Sequence, residues 1–77
     1  VAGKPIPKNC ILNNCKVFGV RGDKRIWISP DGEFYYTWDS LHGEIEVFNK
    51  RCRHLGAIDA ISGSYIKDAV KGRKIDV

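Results

Sequence analysis

Apolar and polar residues alternate with a period of two through the middle of the chain. Phe34, Tyr36 and Trp38 fall on one parity, with Tyr35, Thr37 and Asp39 on the other; Ile45 and Val47 then alternate with Glu44, Glu46 and Phe48. This period marks two half-buried strands. With Ser40 to Gly43 as the connecting turn, Asp39 comes opposite Glu44, Thr37 opposite Glu46, Trp38 opposite Ile45 and Tyr36 opposite Val47. One face of the hairpin is then apolar and the other carries the acids.

The same punctuation continues on both sides. Arg25 to Ser29, a Pro30-Asp31-Gly32 turn, the hairpin, a Lys50-Arg51-Cys52 turn, His54 to Asp59, a turn over Ile61 to Ser64, and Tyr65 to Lys67 follow at hairpin spacing. Such spacing predicts consecutive antiparallel strands. The fold class is therefore mainly β: a small, highly twisted antiparallel meander with a short irregular or helical N-terminal segment. Residues 1–24 read as a basic arm, Pro- and Gly-punctuated over Val1 to Lys8, then a packing segment that sets Ile11, Leu12, Val17 and Phe18 against the sheet. Arg21-Gly22-Asp23 reads as a turn, and residues 25–77 as the sheet, in one domain overall. Trp27, Phe34, Tyr36 and Trp38 are assigned to the core, because so small a sheet needs their area. Tyr35, on the acidic face, is set apart as a residue free to stack on a base or donate a hydrogen bond.

Charge adds a second pattern. The chain has 77 residues, with 13 Lys and Arg against 9 Asp and Glu, for a net charge of +4. The stretch from Asp31 to Phe48 contains no Lys or Arg, whereas the segments on either side are strongly basic. Basic flanks attract a polyanion, or simply solvate the surface. They do not account for the acidic centre. Like charges facing each other across a ladder destabilise it, so the corner from Trp38 to Glu46 reads as an active site. There, crowding is expected to raise a carboxylate's pKa towards that of a general base, and the negative field favours a protonated His42 as general acid. No apolar run is long enough to span a membrane, and no signal peptide is evident. The absence of Met suggests a piece of a longer translated protein. Cys10, Cys15 and Cys52 admit three readings: a Cys10–Cys15 disulfide, a zinc site with His54, or ordinary thiols, the last being the default.

The run Trp38-Asp39-Ser40-x-His42-Gly43-Glu44-x-Glu46, with His54-Leu55-Gly56 downstream and Arg73 near the end, resembles the cytotoxic domain of the ribosome-inactivating ribonuclease colicins. Trp27, Gly32 and Tyr36 fit the same pattern, so the likeness covers about Trp27 to Ile75. The turn at Lys50 to Arg53 is one residue shorter than in the colicins, and Val1 to Arg25 shares only its basic character with them. The resemblance implies a twisted antiparallel sheet and metal-independent cleavage of small-subunit ribosomal RNA in the decoding centre, without cofactors. It also implies an acidic immunity protein as partner and a domain that is monomeric when free. Similar domains occur at the C-termini of pyocins and contact-dependent inhibition proteins, so delivery from a secreted or cell-surface protein into the cytoplasm of a target bacterium is expected.

By position, the family's catalytic residues fall on Asp39, His42, Glu46 and Arg73. Glu46 would take the proton of a ribose 2′-hydroxyl and His42 would protonate the leaving oxygen, with the two roles exchangeable. Asp39 would hold His42, Arg73 would neutralise the phosphate, and Glu44 would serve as an auxiliary base, a tuning charge or a solvated strand residue. Lys24, Arg25, Lys71 and Lys74 are the expected RNA contacts. His54 reads as a hydrogen-bonded structural histidine outside the acidic cluster. A metal-dependent nuclease built on Asp39, His42, Glu44 and Glu46, and a non-enzymatic RNA-binding β-domain, are the alternatives.

Overall fold

A computed structural model describes residues 3–22 and 24–75. Asp23, read as part of a turn, lies outside the described residues, as do the first two residues of the arm. Among the described residues, six strands follow one another across a single antiparallel sheet in chain order. They are β1 (Lys16–Arg21), β2 (Lys24–Ile28), β3 (Phe34–Asp39), β4 (Glu44–Asn49), β5 (His54–Ile58) and β6 (Tyr65–Asp68), preceded by a short 3₁₀ turn at Ile11–Asn14. The predicted β class and meander are thus observed. β3 and β4 have the expected bounds, and their register pairs Asp39 with Glu44, Thr37 with Glu46, Trp38 with Ile45 and Tyr36 with Val47.

The sheet begins earlier than expected. Lys16–Arg21, read as the end of a packing segment and, at Arg21, the start of a turn, is the edge strand β1, paired with β2 through a bulge between Val17 and Gly19. Leu12 is buried and Ile11 packs beside it, but Val17 and Phe18 stay largely exposed because an edge strand has a neighbour on one side only.

Both faces of the sheet carry a hydrophobic cluster. On one, Trp27, Ile45, Val47 and Ile58 pack beneath Cys10 and Leu12, with Phe34, Tyr36 and Trp38 against them, so these aromatics are core as expected. On the acid-bearing face, Ile26, Tyr35 and Phe48 pack together, with Ile75 and Cys52 alongside. That second cluster closes because the chain returns after β6. The Ile75 amide donates to the Cys52 carbonyl at 2.9 Å and the His54 amide to the Arg73 carbonyl at 3.0 Å. The return places Arg73 beside the acids of β4.

Candidate active site

The β3–β4 corner closes on its own acids. Gly43 adopts φ +70, a left-handed conformation that glycine takes without strain, and its amide donates to the Asp39 carbonyl at 2.8 Å. Asp39 Oδ1 accepts the amides of Leu41 and His42 at 3.1 and 3.3 Å, while Oδ2 lies 2.8 Å from His42 Nδ1. Partial burial pushes the Asp39 carboxyl up, but the His42 ring and the two amides outweigh it and hold the group below its ordinary value. The rise expected for a carboxylate of this corner is therefore not found at Asp39, whose net shift is downward. With Nδ1–H directed to Asp39, the His42 ring keeps Nε2 for another partner, and half of its side chain is exposed.

Glu46 sits between two bases. Its Oε1 accepts from Arg73 Nη1 at 3.2 Å, and its Oε2 pairs with His54 Nε2. The other nitrogen of His54, Nδ1, accepts the Val70 amide at 2.8 Å. That bond leaves the ring proton on Nε2, where it donates to Glu46. His54 is almost wholly buried and is a structural histidine, yet it is bonded directly into the acidic group rather than lying outside it.

Glu44 is buried rather than solvated, with Oε1 paired to Lys67 Nζ at 2.7 Å and Oε2 without a hydrogen-bond partner among the described residues. Each acid of the corner therefore has its own base: Asp39 has His42, Glu44 has Lys67, and Glu46 has Arg73 and His54. Among the described residues, Asp39, His42 and Glu44 are the group whose ligand atoms lie close enough together, within 4.8 Å, to hold a cation. The cysteines are free thiols divided between the two hydrophobic clusters, Cys10 and Cys15 on one and Cys52 on the other. Burial, with Cys10 nearby, pushes the Cys15 thiol up, away from the reactive thiolate.

A cleft of about 600 Å³ opens over the acid-bearing face, with Asp39, Glu46 and Arg73 among its walls and Arg21, Lys24 and Lys74 around them. Two carboxylates face four cations there. A family model described as Cytotoxic matches residues 13–76. The chain belongs to the Cytotoxic family. Colicin E3 of Escherichia coli is 34% identical to it over 55 residues, which is 70% of this chain. The chain spans about 10% of the length of that relative. The resemblance to colicin cytotoxic domains, carried by the Trp38–Glu46 block, is thereby borne out.

In this Cytotoxic domain the residues singled out by sequence separate into groups. Asp39, Glu46 and Arg73 share the cleft; His42 is not among its walls but is bonded to Asp39, which is. Lys24 and Lys74 line the cleft as well. Arg25 does not; it lies over the Trp27 ring, 5.8 Å from its centre, beside a smaller cleft. Lys71 is exposed on the turn after β6, outside both. Tyr35 is corrected: its side chain is buried with Ile26 and Phe48, edge-on to Phe18, so its ring serves the second cluster rather than a base. Lys67 was missed, because nothing in its local sequence distinguishes a base that reaches back to Glu44. The His54–Glu46 bond was missed too, although His54 and Glu46 both belong to the recognised pattern.

Proposed function

We propose that this chain is the ribonuclease domain of a bacterial toxin, cutting small-subunit ribosomal RNA in the decoding centre without a metal. The observation that carries the proposal is Glu46 held between Arg73 and His54 in the cleft that also contains Asp39, to which His42 is bonded. Acid, base and phosphate-binding cation are all supplied by side chains.

Glu46 takes the proton from a ribose 2′-hydroxyl, and the 2′-oxygen attacks the adjacent phosphorus. His42, charged and oriented by Asp39, gives its Nε2 proton to the departing 5′-oxygen. The bond to that oxygen breaks, leaving a 2′,3′-cyclic phosphate and a 5′-hydroxyl. Arg73 offers its guanidinium to the phosphate oxygens as negative charge builds on them. His54 keeps Glu46 oriented through Nε2–H, and the flanking Arg21, Lys24 and Lys74 draw in the RNA backbone. The ribosome is the target, and the domain travels as part of a larger protein secreted or displayed by one bacterium and acts in the cytoplasm of another. An acidic immunity protein in the producing cell complements the basic surface.

The test is incubation of the domain with intact ribosomes in chelator, beside a His42→Ala variant, with the ribosomal RNA resolved by size. A single small fragment from the 3′ end of the small-subunit RNA, beginning with a 5′-hydroxyl and absent with the variant, is the expected result, with the 2′,3′-cyclic phosphate left on the larger upstream piece. RNA that stays whole until a divalent metal is added would move the chemistry to a metal-dependent nuclease.

A further inference from the structure

The N-terminal arm is tied to the corner by its main chain. The Lys4 amide donates to the Ser40 carbonyl at 2.7 Å, and the Trp38 indole N–H donates to the Lys4 carbonyl at 2.9 Å. Neither bond depends on the Lys4 side chain. Held there, the arm brings Ile6 to the wall of a second cleft of about 390 Å³, whose other walls are Lys24, Arg25, Trp27, Trp38 and Ser40. Lys24, Trp38 and Ser40 line the catalytic cleft too, so the two meet at the rim of the sheet.

We infer that this second cleft is a nucleotide subsite, taking the residue of the RNA strand next to the cleaved phosphodiester. The inference rests on the ribonuclease reading for the word "next" and on the cleft's own chemistry for the rest. Its size lies at the lower end of the range of small-molecule sites, about 300 to 1,000 Å³. Its walls offer the two things a single-stranded nucleotide needs. The part-buried Trp38 ring and the Ile6 side chain form an apolar surface for a base, and Lys24 and Arg25 carry positive charge for a phosphate. Arg25 is already positioned by its contact with Trp27. A strand entering the catalytic cleft past Asp39 crosses Ser40 and Trp38 at the rim, so one nucleotide turned over the rim lies in the second cleft. The arm, rather than only adding charge, builds one wall of the substrate track.

Trp27 and Trp38 are the two tryptophans of the chain, so occupation of this subsite alters the intrinsic fluorescence directly. The experiment titrates the His42→Ala chain, which does not cut, with a single-stranded adenosine hexamer. Saturable quenching is expected, with Ile6→Ala and Arg25→Ala each raising Kd about tenfold, the scale of one lost stacking or cation contact. Lys50→Ala, which loses the same charge at the far end of β4, changes Kd less than twofold. Binding that leaves tryptophan emission unchanged, no binding, or equal weakening by Lys50→Ala and Arg25→Ala overturns the subsite. Cleavage of ribosomes by the unsubstituted chain is scored separately. If the hexamer quenches but ribosomes stay intact, the ribonuclease reading fails and the subsite stands. If ribosomes are cut and Ile6→Ala and Arg25→Ala leave KM unchanged, the subsite fails and the ribonuclease reading stands.

Discussion

Glu46 on β4 and His54 on β5 are joined side chain to side chain, and the Val70 amide behind His54 fixes which nitrogen carries the proton. The candidate base is thereby oriented from inside the protein, while Arg73 approaches it from the solvent side with about half of its own side chain exposed. These two partners of one carboxylate differ in burial, so their removal separates stability from turnover.

Substituting His54 with Ala takes the acceptor from the Val70 amide and leaves Glu46 with Arg73 alone. The expected cost is about 2 to 3 kcal/mol, from the void left by the buried ring beside Phe48, whose ring lies 5.3 Å from that of His54. Turnover falls as well, because Glu46 loses its orienting bond. Urea unfolding together with single-turnover cleavage checks both; loss of stability at unchanged turnover would confine His54 to packing.

Arg73 gives the opposite pattern. A half-exposed ion pair contributes about 0 to 1 kcal/mol, so Arg73→Ala should leave the unfolding midpoint nearly unchanged. Loss of a cation from the developing phosphate charge should lower the rate by about two to three orders of magnitude. Arg73→Lys should recover only part of it, since an ammonium replaces the planar fork by a point charge. Rate measurement on ribosomes under single-turnover conditions decides, and equal rates for Ala and wild type would remove Arg73 from the mechanism.

The contrast between these residues shows what the sequence makes legible. β3 and β4 are readable to the residue because alternation is strict on both sides of a four-residue turn, and that turn sets the register of every acid. β1 is not, because a bulge between Val17 and Gly19 interrupts its alternation and an edge strand buries too little for the pattern to appear. The acids themselves are visible as a cluster, but their bases arrive from elsewhere. Lys67 comes from β6 across a ladder bulged between Ala57 and Ile58, and His54 from β5 beyond a bulge between Val47 and Phe48. A bulge changes which residues of the neighbouring strand come opposite each other, and the sequence of either strand alone does not say where it falls. Hence the sequence suggests repelling carboxylates where the fold has ion pairs.

Glu44 and Lys67 should behave asymmetrically. Lys67→Met leaves a buried carboxylate without its cation, an arrangement that costs about 3 to 5 kcal/mol when fully buried and less here because Lys67 is half exposed. Glu44→Gln removes the charge and leaves an exposed lysine that water solvates, so its cost should be under about 1 kcal/mol. Combining the two should recover stability relative to Lys67→Met alone. A double-mutant cycle by urea unfolding measures this, and additive effects would mean that the pair is not coupled.

Acid should weaken the corner together with two other turns of the sheet. The Asp39 carboxyl is pushed up by partial burial but held, on balance, below the ordinary value of 3.8 by His42 and the Leu41 and His42 amides. Asp31 is lowered by the Ser29 hydroxyl and the Glu33 amide, and Asp59 by the Ser62 and Ile61 amides. A group whose folded pKa is depressed binds fewer protons folded than unfolded between the two values, so the stability it contributes is present above the unfolded value. It is lost as pH falls from about 4 through the folded values. The urea midpoint should therefore be insensitive to these three groups near neutral pH and fall steeply below about pH 4. Asn at position 39 still offers an oxygen to the two amides but no charge to His42, so Asp39→Asn should flatten part of that fall. The same variant should lose most of its activity at neutral pH, where its stability is little changed. A midpoint that falls with the same slope in Asp39→Asn as in the unsubstituted chain would place the acid sensitivity in Asp31 and Asp59, at the two other turns, and leave the Asp39–His42 bond without a measurable share in stability.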